Sequence, residues 1–355
     1  MSVALPILDD QPQRPNFAQG PRSLSAVKLL RLSLTDRCNL RCVYCMPDDG
    51  VTFYDHADLL SADDIVAVAA AAREAGVTHF KITGGEPTLR KDLVDIVRQL
   101  AALGPEDLSM TTNGLRLGQR GGQLAHELRE AGLDRITVSL DSLDPKTFSK
   151  ISGDRGFTLD QVWAGIEAAT AAGFEKLKLN VVVIGGVNDH ETPGFAALTL
   201  DHPWTVRFIE YMPLGESTLT RSLLGADAFT VDNQQIIQRI EAKHGPLVSV
   251  QRDRESGVGP AQVYRLDRPG VVPGRLGFIS AMSQPFCETC NRLRLTARGE
   301  LRACLFDGGE VDVLPTLRGK TDPQAELIQL MARCVAEKPE THSSRGNRAM
   351  SQLGG

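Results

Sequence analysis

The stretch of sequence that decides the fold runs from residue 29 to residue 45 and reads LLRLSLTDRCNLRCVYC. Its first part, 29–35, is mostly apolar and predicts a β-strand. Three cysteines, Cys38, Cys42 and Cys45, follow this strand in the spacing C-x3-C-x2-C. Because ligands bind at the carboxyl ends of the strands in parallel α/β folds, the cysteines stand where such a fold would place its chemistry.

The alternation of strand and helix continues after this stretch. Further strands are predicted at 79–83, 108–112, 135–140, 176–184 and 205–211, with helices at 61–75, 90–103, 124–131 and 158–172. Three of these helices end in an Ala-Gly pair, at Ala75-Gly76, Ala131-Gly132 and Ala172-Gly173. Strands that alternate with helices favour an α/β fold with a parallel sheet, either open or curled into a barrel.

The pattern changes near residue 230. A helix is predicted over 231–244, and the strand-like pieces after it (262–266, 277–280, 293–296 and 301–304) are short and separated by Gly, Pro and Arg. We therefore predict a mobile N-terminal arm over 1–22, a first part over 23–230, a smaller second part over 231–337, and a flexible tail over 338–355 that ends in Gly354 and Gly355.

A second group of cysteines lies in the smaller part. Cys287, Cys290 and Cys304 are spaced C-x2-C-x13-C. Three thiolates can bind three irons of a [4Fe–4S] cubane and leave the fourth iron open to a substrate or cofactor, so each triplet predicts a reactive centre. The competing interpretation is a zinc site completed by a distant His, in a binding or regulatory module without turnover. The seventh cysteine, Cys334, is predicted to be a buried apolar side chain.

Composition limits the classes of function. The chain has 355 residues, a net charge of −5 and 42% hydrophobic residues, which is ordinary for a globular protein and argues against a nucleic-acid-binding surface. Apolar runs are too short to span a bilayer, and the first twenty residues, with Asp9 and Asp10, do not resemble a signal peptide. We therefore expect a cytoplasmic protein, in which clustered cysteines serve metal or redox chemistry rather than disulfides.

Two further motifs accompany the cysteines. Gly84-Gly85-Glu86-Pro87 follows the second predicted strand, and Arg292 and Arg294 directly follow Cys290. Residues at i and i+2 lie on one side of a strand, and arginine makes bidentate contacts to phosphate oxygens, so the arginine pair suits a triphosphate. The other interpretation of this pair is two solvated arginines on an edge strand.

These motifs resemble those of a known family. The cysteine spacing, with the aromatic Tyr44 before the last cysteine, and the Gly-Gly-Glu-Pro turn resemble the radical S-adenosylmethionine (SAM) superfamily. Within it, the chain from about residue 25 to 335 is similar to the GTP 3′,8-cyclase family in the runs 32–42, 44–47, 82–87, 111–114, 138–143, 207–210 and 287–294. The resemblance implies an incomplete (βα)6-type TIM barrel that holds one cluster and is closed by a smaller C-terminal part that holds a second.

The resemblance also implies roles for individual residues. Two [4Fe–4S] clusters would bind to the triplets Cys38, Cys42, Cys45 and Cys287, Cys290, Cys304. SAM would contact Tyr44, Gly85, Ser139 and Met212. GTP would contact Arg31, Lys81, Thr111, Lys178, Arg292, Leu293 and Arg294, and the residues that assist catalysis would be Arg292, Arg294, Gly354 and Gly355. Lys81 departs from the arginine that is usual in the family, which keeps the charge but loses planar two-point hydrogen bonding.

The implied reaction is a lyase step, the first of molybdenum cofactor biosynthesis. A 5′-deoxyadenosyl radical from SAM takes the hydrogen from C3′ of GTP, and the C3′ radical attacks C8 of the guanine. The resulting aminyl-type radical takes up one electron and one proton, which gives (8S)-3′,8-cyclo-7,8-dihydroguanosine 5′-triphosphate. The implied partners are an external electron donor, a cyclic pyranopterin monophosphate synthase that receives the product, and a second copy of the chain in a homodimer. The alternative within the superfamily is a peptide-modifying enzyme with an auxiliary cluster, which predicts more C-terminal cysteines than three.

Overall fold

The computed structural model describes residues 20–47, 49–222, 226–251, 258–267, 274–307, 310–319, 322–343, 345–346 and 348–354. The predicted mobile arm therefore lies outside the described residues as far as residue 19, and Gly355 lies outside them as well. In the described ranges no helix is long and apolar enough to cross a membrane.

Strands and helices alternate through the first part of the chain. Its strands are β1 (Leu29–Ser33), β2 (His79–Thr83), β3 (Asp107–Thr112), β4 (Arg135–Ser139), β5 (Lys178–Val183) and β6 (Thr205–Glu210). Its helices are α1 (Ala62–Glu74), α2 (Leu93–Ala102), α3 (Gln123–Glu130), α4 (Pro145–Ser152), α5 (Leu159–Ala171) and α6 (Thr192–Asp201). All six strands confirm the sequence prediction to within two residues at either end.

The rest of the chain contains shorter elements. Its strands are β7 (Leu247–Ser249), β8 (Gln262–Leu266), β9 (Arg275–Ile279), β10 (Arg292–Leu295), β11 (Glu300–Arg302) and β12 (Val311–Asp312). Its helices are α7 (Asn233–His244), α8 (Leu314–Gly319), α9 (Gln324–Ala336) and α10 (Met350–Leu353).

Local sequence explains where the helices begin. The Ser61 hydroxyl accepts a hydrogen bond from the Asp64 backbone N–H at 3.1 Å, and the Asp64 carboxylate accepts one from the Ser61 N–H at 3.0 Å. This capping box satisfies backbone donors that the first turn of α1 leaves open. Thr158 and Gln161 make the same arrangement ahead of α5. Both helix starts confirm the sequence prediction.

One sheet holds the twelve described strands in the order β12-β11-β10-β1-β2-β3-β4-β5-β6-β9-β8-β7. Strands β1 to β6 are parallel neighbours in chain order. Strand β10 pairs parallel with β1 at one side of this group, and β9 pairs parallel with β6 at the other. The outermost strands on both sides are antiparallel additions. The sheet is open rather than closed, which confirms the predicted incomplete barrel.

The alternation of side chains along the strands creates an apolar outer face and a polar inner face. In β1, Leu30 and Leu32 are fully buried in the core between sheet and helices, and Arg31 between them lines an inner cavity. Successive strand residues point to opposite faces, so a charged residue between two leucines is placed inside the curve of the sheet.

The segment beyond the predicted boundary near residue 230 belongs to the same sheet. Strands β9 and β10 extend it at opposite sides of the first six strands. The division into parts over 23–230 and 231–337 stays a prediction. The structure differs from the predicted flexible tail over 338–355, since Lys338, Ser351 and Leu353 are buried.

The tail is held by the loop after β6. The Gly346 N–H donates to the Pro213 carbonyl at 3.0 Å, and the Gly215 N–H donates to the Gly346 carbonyl at 3.1 Å. These two backbone hydrogen bonds fix the segment, and Leu353 within it is buried. The polar sequence of the segment does not reveal either contact.

We expect Gly165→Ala to destabilise the fold by about 1–3 kcal/mol, because a Cβ at residue 165 of α5 would lie 2.1 Å from the Gly114 carbonyl oxygen in the turn after β3. Gly194→Ala in α6 is the matched control, since its Cβ would meet only Leu143 at 3.4 Å and alanine favours helix. Urea denaturation followed by circular dichroism measures both. Equal stability of the two variants would contradict the packing argument.

Candidate active site

A cavity of about 340 Å³ lies inside the curve of the sheet. Each of the two cysteine triplets lines it, and all six cysteines are free thiols: Cys38, Cys42, Cys45, Cys287, Cys290 and Cys304. The four predicted SAM contacts, Tyr44, Gly85, Ser139 and Met212, line the same cavity. The structure therefore brings the predicted cluster ligands and the predicted SAM contacts together around one cavity, and their binding roles stay predictions.

The turn Gly84-Gly85-Glu86-Pro87 packs directly on the backbone of the first cysteine loop. The Gly85 N–H donates to the Thr35 carbonyl at 2.6 Å, and the Glu86 N–H donates to the Arg37 carbonyl at 2.7 Å. A Cβ at residue 85 would lie 2.4 Å from the Arg37 carbonyl oxygen. Only glycine allows this approach, so the turn and the cysteine loop form one rigid wall of the cavity.

Glu86 joins the ends of β2 and β3 beneath that wall. Its buried carboxylate accepts hydrogen bonds from Thr88, from the Thr112 hydroxyl at 2.7 Å and from the Asn113 N–H at 2.7 Å. Burial raises the pKa of Glu86, and these hydrogen bonds oppose the rise. The sequence motif contains Glu86 but does not reveal this bracing role.

Asp141 is a buried partner of Tyr44 that sequence reasoning missed. The Tyr44 hydroxyl donates to one Asp141 carboxylate oxygen at 2.9 Å, and the Val182 N–H donates to the other at 2.8 Å. Burial raises the pKa of Asp141 to about 6, although both hydrogen bonds favour the ionised form. Burial also raises the pKa of Tyr44, as does the Asp141 charge, so the phenol stays protonated and keeps donating.

We expect the stability of the cluster-free protein to fall by up to about 3 kcal/mol between pH 4 and pH 6.5, through ionisation of Asp141. The pKa of its carboxyl is 3.8 in the unfolded chain and about 6 in the folded chain. The stabilising contribution is therefore complete below pH 3.8 and is lost as the pH rises through 6. Asp141→Asn does not titrate. Its amide oxygen can accept from the Val182 N–H and its amide N–H can donate to the Tyr44 hydroxyl oxygen, so the pH dependence of its urea midpoint should lack this component. An identical pH profile of the two proteins would contradict the assignment.

The second triplet lies beside two cations. Burial alone would raise the pKa of Cys290, but Arg292 and Lys338 lower it to about 6. The Arg292 guanidinium is 3.7 Å from the Cys290 sulfur and lies over the Phe286 ring at 4.8 Å from its centroid. This environment favours the thiolate, which is the form that binds iron.

Buried and half-buried cations line the cavity. Five of them were predicted from the sequence, Arg31, Lys81, Lys178, Arg292 and Arg294, and all five line the cavity. Burial and the neighbouring Arg292 lower the pKa of Arg294 to about 9. Burial, Arg207 and Arg31 lower the pKa of Lys81. Like charges confined in a buried space repel one another, so the cavity is built for an anion.

Two further cations on the cavity wall were missed. Arg207 of β6 lies beside Thr137, which also accepts a hydrogen bond from Lys81 at 3.1 Å, and burial lowers the pKa of Arg207 to about 10. Arg135 of β4 pairs with Asp107 at 2.5 Å. Arg207 belongs to the run 207–210 that carries part of the family resemblance. A charged residue between apolar residues of a predicted strand is the sequence feature that could have identified it as facing the cavity.

Several buried polar atoms facing this space lack a hydrogen-bond partner among the described residues. They are Arg207 Nε, Arg294 Nη1, Thr111 Oγ1 and Asn180 Oδ1. Buried polar atoms without partners are costly, so their presence on the wall of a cavity indicates a polar ligand. Thr111 and Arg294 are predicted GTP contacts, and a phosphorylated ligand would provide hydrogen-bond partners for their unpaired atoms.

Leu293 requires a correction. Its side chain is fully buried in the apolar core and faces away from the cavity, because it alternates with Arg292 and Arg294 along β10. A side-chain contact between Leu293 and GTP is therefore wrong, and only its backbone remains available to a ligand. Gly354 lies inside the barrel, where its carbonyl accepts a hydrogen bond from Arg31 Nη2 at 3.2 Å. Gly355 lies outside the described residues.

The cysteines fit clusters rather than single ions. Among the residues that the structure describes, no three His, Cys, Asp or Glu side chains are grouped to hold one metal ion. In a cubane each cysteine binds a different iron, whereas zinc draws four ligands to one point. Two triplets of free thiols on one cavity fit two [4Fe–4S] clusters.

Comparisons with known proteins agree with this site. Residues 32–198 match the Radical SAM superfamily, and residues 204–344 match the family described as Molybdenum Cofactor Synthesis C. The GTP 3′,8-cyclase of Pelotomaculum thermopropionicum is 43% identical over 93% of this chain and 98% of its own. The GTP 3′,8-cyclase of Microcystis aeruginosa is 44% identical over 94% of this chain and 100% of its own.

Solved structures support the fold alone. The crystal structure of Streptococcus suis SuiB bound to S-adenosylmethionine has a TM-score of 0.55 and 14% identity over 93% of this chain and 78% of that chain. SuiB has also been solved with a precursor peptide, but identity this low carries no peptide substrate over. From the family matches and the full-length relatives, the chain belongs to the GTP 3′,8-cyclase family of the radical SAM superfamily.

Proposed function

We propose that this protein acts as a GTP 3′,8-cyclase, a lyase that converts GTP into (8S)-3′,8-cyclo-7,8-dihydroguanosine 5′-triphosphate in the first step of molybdenum cofactor biosynthesis. The observation that carries the proposal is that two cysteine triplets and a group of buried and half-buried cations line one cavity. The relatives that bear this name extend over more than nine tenths of the chain, which supports the same activity here.

The cofactors are SAM and two [4Fe–4S] clusters. Cys38, Cys42 and Cys45 would hold the cluster that, together with bound SAM, supplies the 5′-deoxyadenosyl radical. The rigid wall formed by the cysteine loop and Gly85 would fix the SAM methionine end, while Tyr44 is held in place by Asp141. Ser139 and Met212 would complete the SAM contacts from the ends of β4 and β6.

The buried cations would bind the triphosphate of GTP. Arg31 of β1 and Lys81 of β2 are partners in the sheet register, and Lys178 lies on β5 of the same sheet. Burial lowers the pKa of Lys81, and Arg31 and Lys178 are among the cations that lower it further. A triphosphate would relieve this repulsion and provide acceptors for Thr111 and Arg294. The cations are far more selective for an anion here than on the surface, because the surrounding protein excludes water.

The second triplet would hold the guanine end. Cys287, Cys290 and Cys304 line the cavity together with Arg292. They would hold a cluster with three protein ligands, which would supply an open coordination position for the guanine. Holding the base and ribose together is the main requirement, since the bond forms within one molecule. Gly354 would assist by orienting Arg31 through its backbone carbonyl.

The remaining partners belong to the proposal as well. The reaction needs an external electron donor, and a cyclic pyranopterin monophosphate synthase would consume the product. We infer a homodimer and a cytoplasmic location, and retain the division at residue 230 and the function of Gly355 as predictions.

The decisive experiment uses reconstituted protein under anaerobic conditions with dithionite, SAM and GTP. We expect 5′-deoxyadenosine to form in proportion to GTP consumed, together with a product of the same mass as GTP. Replacing GTP by ATP should abolish cyclisation. The substrate assignment would be refuted if 5′-deoxyadenosine formed at the same rate with and without GTP and no GTP were consumed.

A further inference from the structure

Lys338 is buried at the point where the predicted flexible tail begins, and only 4% of it is exposed. Its backbone is fixed from two sides: its N–H donates to the Val335 carbonyl at 3.1 Å at the end of α9, and its carbonyl accepts from Arg22 Nε at 2.8 Å. A buried lysine is costly unless its ammonium group finds acceptors. The backbone of Lys338 is therefore fixed, and its buried ammonium group requires hydrogen-bond acceptors nearby.

The acceptors of Lys338 all belong to the second cysteine site. Its Nζ donates to the Cys290 carbonyl at 3.0 Å and to the Arg292 carbonyl at 3.1 Å, and lies 3.8 Å from the Cys290 sulfur. One ammonium group thus joins the backbone on both sides of Asn291, between a cluster ligand and the first residue of β10. Neither the family resemblance nor the sequence motifs assign a role to this lysine.

Lys338 and Arg292 face the Cys290 sulfur as a pair of cations. The Arg292 guanidinium is 3.7 Å from that sulfur and is supported by the Phe286 ring, while Lys338 holds the Arg292 backbone. The other charged groups that act on Lys338 are Cys304 and Arg294. Removing the ammonium would both free the Cys290–Arg292 backbone and take one positive charge from beside the sulfur.

We propose that Lys338 is a positioning residue of the second cluster site, where it fixes Arg292 for substrate and favours the reduced state of the cluster that Cys290 helps to hold. Positive charge near a cluster stabilises the reduced form, which carries one more negative charge, and so raises the reduction potential. The substrate part of this inference rests on the proposed function. The effect on the reduction potential does not, because it is measured without GTP.

The test compares Lys338→Met, Lys338→Arg and the matched control Lys146→Met, which removes an exposed lysine. Each protein is reconstituted to about eight irons and titrated with dithionite under EPR detection. In Lys338→Met we expect the ratio of reduced to oxidised second cluster at a fixed potential to fall about tenfold, which is about 59 mV for a one-electron couple. The first cluster should be unchanged. Lys338→Arg and Lys146→Met should titrate like the parent protein.

GTP affinity gives the second readout. Lys338→Met should raise the Kd for GTP about tenfold by equilibrium dialysis, whereas SAM cleavage without GTP stays at the parent rate.

An unchanged potential of the second cluster in Lys338→Met would overturn the proposal. If the neutral variant fails to retain the second cluster while Lys338→Arg retains it, the need for the charge is supported by that contrast. Loss of the cluster in both variants would show a purely structural role and overturn the proposal. A changed potential with no binding of GTP to the parent protein would instead refute the proposed function.

Discussion

Cys304→Ala should abolish cyclisation of GTP and leave reductive cleavage of SAM largely intact, whereas Cys42→Ala should abolish both. Cys42 lies in the loop that Gly85 and Glu86 brace, next to the predicted SAM contacts. Cys304 lies across the same cavity, beside Arg294 and the second triplet. If the first cluster generates the radical and the second fixes the substrate, the two substitutions must separate the two steps.

We expect the rate of cyclisation to fall on the order of a thousandfold or more in each variant, because the three cysteines hold one cluster and loss of one ligand removes the function of all three. The measurement is the yield of 5′-deoxyadenosine and of cyclised nucleotide from one anaerobic incubation. Iron content should fall from about eight to about four per chain in both variants. Cys334→Ala is the control, since this buried cysteine lies in α9 outside the cavity lining and should keep both activities. Retained cyclisation in Cys304→Ala would eliminate the role of the second site.

Gly354→Ala should lower the rate of cyclisation about a hundredfold, although it adds a single methyl group. Gly354 adopts φ +75° inside the barrel, and a Cβ would lie 2.7 Å from Ser33 Cβ and 2.9 Å from Thr83 Oγ1. Both neighbours are buried at the ends of β1 and β2, so the tail must move instead. Arg31 would then lose the carbonyl that orients it at 3.2 Å, and a shift of about 1 Å at a positioning group can cost a hundredfold.

Gly156→Ala is the matched control for backbone strain. Gly156 has the same φ of +75°, and no atom lies within 4 Å of the position of its added Cβ. Both variants should lose a similar roughly 1–2 kcal/mol of stability from the left-handed backbone, but only Gly354→Ala should lose activity. Steady-state rates of GTP consumption and urea midpoints provide the comparison. Equal activities of the two variants would contradict a role of the tail in the active site.

Much of the parallel sheet could be predicted because its signals are local. Each of the strands β1 to β6 carries apolar residues at alternate positions over five or six residues. The capping residues Ser61 and Thr158 mark helix starts without reference to the rest of the fold. Asp144-Pro145, at the start of α4, suits either a turn or a helix start, and helix α6 was not predicted. Each begins with a proline near its N-terminus, and Pro193-Gly194 resembles a break rather than the first turn of a helix.

The site could be predicted only where residue type and spacing carry the chemistry. Arg207 and Asp141 have no distinctive spacing: Arg207 is one charged residue in a strand, and Asp141 resembles a turn residue. Their roles depend on neighbours distant in sequence, such as Thr137 for Arg207 and Tyr44 for Asp141. The sequence pattern places Lys338 at the start of a flexible tail, because its partners, Cys290 and Arg292, are 48 and 46 residues away.

Side-chain type and short-range periodicity are enough to establish the chemistry of this protein: two triplets of thiols, a glycine turn that belongs beside the first, and an alternation of strands and helices that must form a parallel sheet. A linear chain already contains these features. The folded molecule adds that β9 and β10 extend opposite sides of that sheet, that both triplets face one cavity, and that the C-terminal segment enters it. Such contacts join residues far apart in the chain, and their energies come from burial and hydrogen bonds that exist only once the sheet has curved around the cavity.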